Sequence, residues 1–185
     1  MTGADRQRLF LAASLDDTTR NLLAAHLEAQ QPGSMPGRSV PPQNWHLTLR
    51  FLGWATEHQR DGILHYLDET EMPTPFVVRF GALGAFPRAR RATVLWLGVD
   101  QGGEALTQVA GACDEAAQAV GYEPEGRPFH PHVTLSRIRP HQDVSALIES
   151  FDPFLVKMRV AAVTLYESLL RRGGAIYRAI DRVEL

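Results

Sequence analysis

The chain has 185 residues, 44 % hydrophobic and 22 % charged, with a formal charge of −2. That length suits one compact domain, or two small lobes sharing a core, able to fold without disulfides or a structural metal. The single cysteine, Cys113, excludes a disulfide framework and a multi-cysteine zinc site, and points to a reducing compartment. Near-neutral charge excludes a general nucleic-acid coat or a membrane-surface protein, so any nucleic-acid contact has to be local. The first eight residues are polar, and no run approaches eighteen apolar residues, so no membrane partner and a cytoplasmic setting are expected.

In chain order, residues 9–15 read as a buried strand, and Asp16 or Asp17 caps a helix carrying Leu22, Leu23, Ala25 and Leu27. A Pro/Gly-rich loop at 32–42 comes next, loose enough to flank a site. Residues 45–52 form the next strand, 56–70 a helix, and 76–83 a strand ending in an arginine-rich turn with Arg88, Arg90 and Arg91. The pattern then recurs. Residues 93–99 are strand-like, and Gly102-Gly103 opens a helix carrying Leu106, Val109, Cys113, Ala117 and Val120. Residues 129–138 read as strand, 144–151 as a short helix and 154–169 as one more strand. Gly173-Gly174 turns the chain into a last strand at 176–183.

The recurrence is a duplication. His46-Leu47-Thr48-Leu49 matches His132-Val133-Thr134-Leu135, 86 residues later. Leu11 and Leu97 each precede their histidine by 35 residues, and residues 75–80 resemble 153–158. The expected fold is α+β: a duplicated β-α-β unit, with repeats near 8–84 and 93–185. Together they make one bilobed domain over 1–185, in which two pseudo-symmetric lobes, each with an antiparallel sheet, face across a central cleft.

Strand alternation gives the paired motifs a chemical meaning. His46 and Thr48 share one face, while Leu47, Leu49 and Phe51 share the other; His132 and Thr134 repeat this over Val133 and Leu135. Two facing imidazoles suit a phosphodiester, one activating water and the other protonating the departing oxygen. The threonine hydroxyls can hold the non-bridging oxygens. Neither role needs a metal or a cofactor.

These motifs, with their flanks Asn44-Trp45 and Arg50-Phe51-Leu52-Gly53 in the first copy and Arg127 to Arg137 around the second, resemble the two-histidine (2H) phosphoesterase superfamily. The detail is most similar to its RNA 2′,3′-cyclic phosphodiesterase branch, the 2′-5′ RNA ligase-like proteins. Further matches are Arg8-Leu9-Phe10-Leu11-Ala12, Leu165-Tyr166-Glu167-Ser168 and Gly173-Gly174-Ala175-Ile176-Tyr177, so the resemblance covers nearly the whole chain. It implies metal-independent opening of terminal 2′,3′-cyclic phosphates on RNA to 2′-phosphates, with RNA ends as partner; a monomer is expected. It also implies the polarity: His46 as proton donor to the leaving 3′ oxygen and His132 as proton acceptor from water. Two alternatives stay open, a reversible 2′-5′ RNA ligase and a non-catalytic binder of RNA phosphate ends.

Around the histidines, Thr48, Thr134, Arg137, Arg127 and Phe129 are candidate substrate-binding residues. The resemblance puts an arginine at the position of Arg137. Strict alternation sets Arg137 and Phe129 on the Val133 face, where an internal salt bridge and core packing are the competing roles. Arg127 and Phe129 could floor the cleft. Arg50, on the His46 face, could reach RNA backbone. His130 and His132 have the spacing of a metal pair, but no further ligand motif completes it, so no metal is expected. His26, His58, His65 and His141 read as surface residues, Tyr166 and Tyr177 as packing of the C-terminal sheet, and the Arg88-Arg90-Arg91 turn as solvated charge or a guide for RNA. Lys157 lies outside any ligase-like motif.

Overall fold

A computed structural model describes residues 6–171 and 174–185. The expected polar N-terminus and the Gly173 half of the Gly173-Gly174 turn fall partly or wholly outside these residues. Within these residues nine strands and four α-helices run in order: β1 (Arg6–Ser14), α1 (Asp17–Gln30), β2 (Arg38–Ser39), β3 (His46–Thr56), α2 (Glu57–Glu69), β4 (Phe76–Phe86), β5 (Ala92–Gln101), α3 (Gly103–Ala119), β6 (His132–Gln142), α4 (Ser145–Ser150), β7 (Lys157–Val160), β8 (Ala162–Arg171) and β9 (Gly174–Glu184). Local chemistry sets the boundaries. The Asp16 carboxylate accepts from the Thr19 amide at 2.7 Å and starts α1. Thr56 and Gln59 form a reciprocal capping box that ends β3 and starts α2.

The strands form two antiparallel sheets around a cleft, one in the order β3-β1-β8-β9 and the other β2-β6-β5-β4-β7. Superposing the orders equates β3 with β6, β1 with β5, β8 with β4 and β9 with β7. The two sequence halves therefore exchange strands. β4, from the first half, pairs with β5, and β8, from the second half, pairs with β1.

Two coincidences of the sequence dissolve here. Segments 75–80 and 153–158 meet as antiparallel neighbours, Val78 opposite Met158, rather than as equivalents. In the ladders Leu11 pairs with Arg50 and Leu95 with Ser136, so Leu95, not Leu97, is the counterpart of Leu11. The stretch expected as one strand over 154–169 is also two strands in different sheets, separated by Ala161. The switch falls within the apolar run 160–163, with no glycine or proline there, so the change of sheet leaves no local mark.

One main core joins both sheets and three helices, with Leu11, Leu47, Phe80, Leu97, Val133 and Leu165 from strands and Leu23, Ile63, Leu67, Leu106 and Val109 from helices. Truncating one of these fully buried leucines to alanine costs about 2–5 kcal/mol. Cys113 is buried in the same core, and burial pushes its thiol up to about 12, leaving it an inert hydrophobe. A smaller cluster of Ala92, Leu95, Ile138 and Val144 lies under the far end of β6. The Pro/Gly-rich loop is pinned to that end through β2, with Arg38 opposite Arg137. Gly37, at φ +78°, permits this approach, because a Cβ there would lie 2.5 Å from the Arg137 carbonyl oxygen.

Candidate active site

The cleft has a volume of about 860 Å³, ordinary for a small-molecule or nucleotide site. His46 and Thr48 line it from β3, His132 and Thr134 from β6, with Leu47, Leu49, Val133 and Leu135 buried behind them. Alternation thus does what the sequence expects for the first four residues of each motif. Each histidine is then held by the same device. The Nδ1 of His46 lies 2.8 Å from the carbonyl oxygen of Asn44, and that of His132 lies 2.7 Å from the carbonyl oxygen of His130. A carbonyl only accepts, so each Nδ1 carries hydrogen and each Nε2 is left for proton transfer.

Beyond the tetrapeptides both strands bulge. The β1–β3 register slips at Leu49 and the β5–β6 register at Leu135, and each bulged leucine stays in the core. The slip reverses the facing of the residues beyond it. Arg137 therefore lines the cleft with His132 and Thr134 instead of sharing the Val133 face, and it has no ion-pair partner among the described residues. Phe51 lies 86 residues earlier and is likewise turned out, 61 % exposed on the cleft wall rather than packed with Leu47 and Leu49. The period of two cannot show a bulge, but the duplication could have: whatever Arg137 faces, Phe51 should face too.

Aromatic rings enclose the imidazoles. His46 sits against Phe10 (centroids 4.8 Å apart), Tyr177 (5.2 Å, edge-on) and Tyr166 (6.3 Å). His132 sits against Phe86 (5.0 Å, edge-on) and Trp96 (6.1 Å). The exchanged strands supply matching rings, since Tyr166 pairs with Phe10 on β1 and Phe86 with Val94 on β5. Tyr177 lines the cleft, correcting its assignment to sheet packing alone, and Phe86 lies past the expected end of its strand. Trp96 lies across Gly84, where a Cβ would collide with its ring.

Burial dominates the electrostatics. It lowers His46 to about 4, with the charges of His132 and Arg137 acting in the same direction and the Asn44 carbonyl opposing. His132 is lowered for the same first reason, with the His130 carbonyl opposing it and the charges of His130 and Arg137 adding to it. Both imidazoles are therefore neutral in the empty cleft near pH 7, and an anionic phosphate between them would raise both.

The remaining candidates divide. Phe129 lines the cleft and also packs on the main core; β6 begins only at His132, so strand parity does not govern Phe129. Arg127 lines the rim, not the floor, its side chain 91 % exposed and 3.9 Å from Glu125. Arg50 reaches the cleft, but its guanidinium is taken up by Asp114 at 2.8 Å, Glu125 at 3.2 Å and the Glu123 carbonyl. It ties β3 to α3 and to the segment leading into β6, and is not free for RNA. Among the described residues no group of three His, Cys, Asp or Glu side chains gathers around His130 and His132. Exposed His58, His65 and His141 are surface residues as expected, whereas His26 bonds Gln30 and packs on Phe154 at 4.4 Å.

Comparison with known proteins agrees with this cleft. The model of the 2′-5′ RNA ligase superfamily matches residues 13–172. The RNA 2′,3′-cyclic phosphodiesterase of Aeropyrum pernix is 33 % identical over 154 residues, 81 % of this chain and 87 % of that one. The Escherichia coli K12 protein of the same name is 32 % identical over 180 residues, covering 97 % of each. Among solved structures, a phosphoesterase superposes with a TM-score of 0.78 at 29 % identity, covering 98 % of this chain and 99 % of that one. E. coli LigT complexed with 3′-AMP superposes with a TM-score of 0.77 at 30 % identity, with the same coverage. The chain belongs to the 2′-5′ RNA ligase superfamily of two-histidine phosphoesterases, in its RNA 2′,3′-cyclic phosphodiesterase family. It is accordingly an enzyme of the phosphodiesterase class. No described helix is long and apolar enough to cross a membrane.

Proposed function

We propose that the protein hydrolyses 2′,3′-cyclic phosphate ends of RNA to 2′-phosphate ends without a metal. The observation that carries this is the matched pair of imidazoles, each locked at Nδ1 by a carbonyl with its Nε2 free at a common cleft. In this reading His132 takes a proton as water attacks phosphorus, the P–O3′ bond breaks, and His46 delivers its proton to O3′. Thr48 and Thr134 donate to the non-bridging oxygens. Arg137 supplies the countercharge, and Phe129 with Arg127 borders the terminal nucleoside.

The polarity rests on family resemblance. In the empty cleft burial weighs more heavily on His46 than on its partner, so a protonated His46 has to be sustained by the substrate's own negative charge. Both histidines come from one chain around one shared core, which supports a single bilobed domain over 1–185 acting as a monomer. A cytoplasmic setting belongs to the same reading, supported by the lone buried thiol.

The deciding experiment incubates an oligonucleotide bearing a 2′,3′-cyclic phosphate with the protein, with and without EDTA. A 2′-phosphate product in both arms is expected. Loss of turnover on chelation, restored by zinc or manganese, overturns the metal-free mechanism. Binding without turnover leaves a binder of phosphate ends, and a joined 2′-5′ product would show the same two proton transfers running backwards.

A further inference from the structure

The cleft is electrically lopsided. Beside Arg50 its wall carries two carboxylates, Asp114 and Glu125, matched by two guanidinium groups, those of Arg50 and the solvent-facing Arg127. The other end lies past His132 and Thr134, where Phe86, Pro87, Thr93, Val94 and Arg137 line it. There the bulge at Leu135 keeps Arg137 and Arg139 exposed on one face, with Ile138 buried behind them. The neighbouring strand joint adds Arg88, Arg90 and Arg91. All three are exposed: Arg88 follows Pro87 and precedes a short 3-10 turn (Ala89–Arg91) carrying the other two, and the Val144 amide, just past β6, holds that turn through the Ala89 carbonyl at 2.9 Å. None of these five arginines makes an ion pair among the described residues, although the protein as a whole is slightly acidic. Asp143 lies close enough to feel Arg90, but its carboxylate is engaged by the Ser145 amide at 2.9 Å.

We infer that this arginine strip, Arg139 with Arg88, Arg90 and Arg91, is the exit track for the phosphodiester backbone of a single-stranded RNA whose cyclic end lies between the histidines. The inference rests on the proposed function and deepens it, making an oligonucleotide rather than a free cyclic nucleotide the preferred substrate. A polyanion leaving past Asp114 and Glu125 would have to compete with these carboxylates for Arg50, which they already hold. The opposite end offers guanidinium groups that are exposed and make no ion pair among the described residues. Arginine forks suit phosphate oxygens there, and the contact reads no sequence. The surplus of unpaired arginine at one end of the cleft thus gains a use that solvation alone does not give it.

The test compares wild type with the triple variant Arg88→Gln, Arg90→Gln, Arg91→Gln on two substrates, a 2′,3′-cyclic mononucleotide and a ten-nucleotide RNA ending in a 2′,3′-cyclic phosphate. Binding of a fluorescein-labelled ten-nucleotide RNA with a 2′-phosphate end is titrated alongside, from 50 to 200 mM salt. The expected result is unchanged kcat and KM on the mononucleotide and a KM on the RNA raised about tenfold. The log–log salt slope of RNA binding should also fall by about 2, as three lost phosphate contacts predict for a single strand. Substituting lysine at the three positions should restore most of the slope. Unchanged RNA binding and an unchanged slope overturn the track. An equal loss on both substrates overturns it too, because the turn would then belong to the catalytic cleft. If wild type hydrolyses neither substrate, the proposed activity fails while the salt slope still decides the track.

Discussion

Phe51 and Arg137 stand at the same point of the duplicated unit, each two residues past a bulged leucine and each turned into the cleft. One lobe thus offers a flat apolar ring where the other offers a guanidinium. A site symmetric in its histidines is made asymmetric in what it can hold, with a phosphate favoured beside Arg137 and a nucleobase beside Phe51. Phe51→Ala should raise KM for a cyclic nucleotide by roughly 10- to 100-fold, within the 1–3 kcal/mol that base stacking contributes, while Phe51→Trp retains it. Equal KM values in the alanine variant and wild type would remove Phe51 from substrate binding.

The paired histidines should behave as a unit. His46→Ala and His132→Ala are each expected to lower kcat by roughly 10²–10⁴, with the double variant little worse than the poorer single. A substrate with an activated leaving group needs little protonation and should rescue His46→Ala far more than His132→Ala. Rescue of the His132 variant instead would reverse the two roles.

Burial shifts the pH profile of the free enzyme. Because kcat/KM reports the unliganded site and both imidazoles there lie below 6.5, its optimum should fall on the acid side of 6.5. The profile of kcat should sit higher, since bound phosphate raises both groups. Rate measurements from pH 4 to 9 decide this, and coincident optima would show that substrate charge does not reach the histidines.

Stability should carry the same signature. His46 binds a proton near 6.5 when unfolded and only near 4 when folded, so its neutral burial is fully tolerated above 6.5. As pH falls from 6.5 to 4 the unfolded state takes up the proton first, and wild type should lose about 3 kcal/mol. His46→Gln should escape that part of the loss. Urea titrations of both proteins at pH 7 and pH 4 measure the difference, and parallel losses would mean that water reaches the ring.

Arg50 is expected to act on architecture rather than on substrate. Arg50→Ala should cost about 1.5–3 kcal/mol, the range for hydrogen bonds to charged groups, by freeing β3 from Asp114 and Glu125. Thermal or urea unfolding gives the cost. A variant of undiminished stability that instead loses salt-dependent RNA binding would return Arg50 to the substrate.

The sequence revealed the helices, the sheet class and the first four residues of each motif, because capping residues, apolar periods and a long repeat are all local or countable signals. It could not show that the strand expected over 154–169 changes sheet at Ala161, because residues 160–163 are all apolar and hold no glycine or proline. Nor could alternation place Arg137 and Phe51, since one extra residue in a ladder inverts every later side chain. Tyr177 and Phe86 reach the histidines through strand pairing, which no linear spacing encodes.

The exchange of strands between halves also bears on how the protein is made. β1 and β3 are synthesised early, yet their sheet is completed only by β8 and β9, which follow β4 to β7 in the chain. A nascent chain that has released His46 therefore still lacks Tyr166 and Tyr177 beside it, and β1 waits with an unpaired edge until β8 has been made. Neither sheet can close before strands of the second half are made, so His46 gains Tyr166 and Tyr177 as neighbours only once β8 and β9 have joined β1.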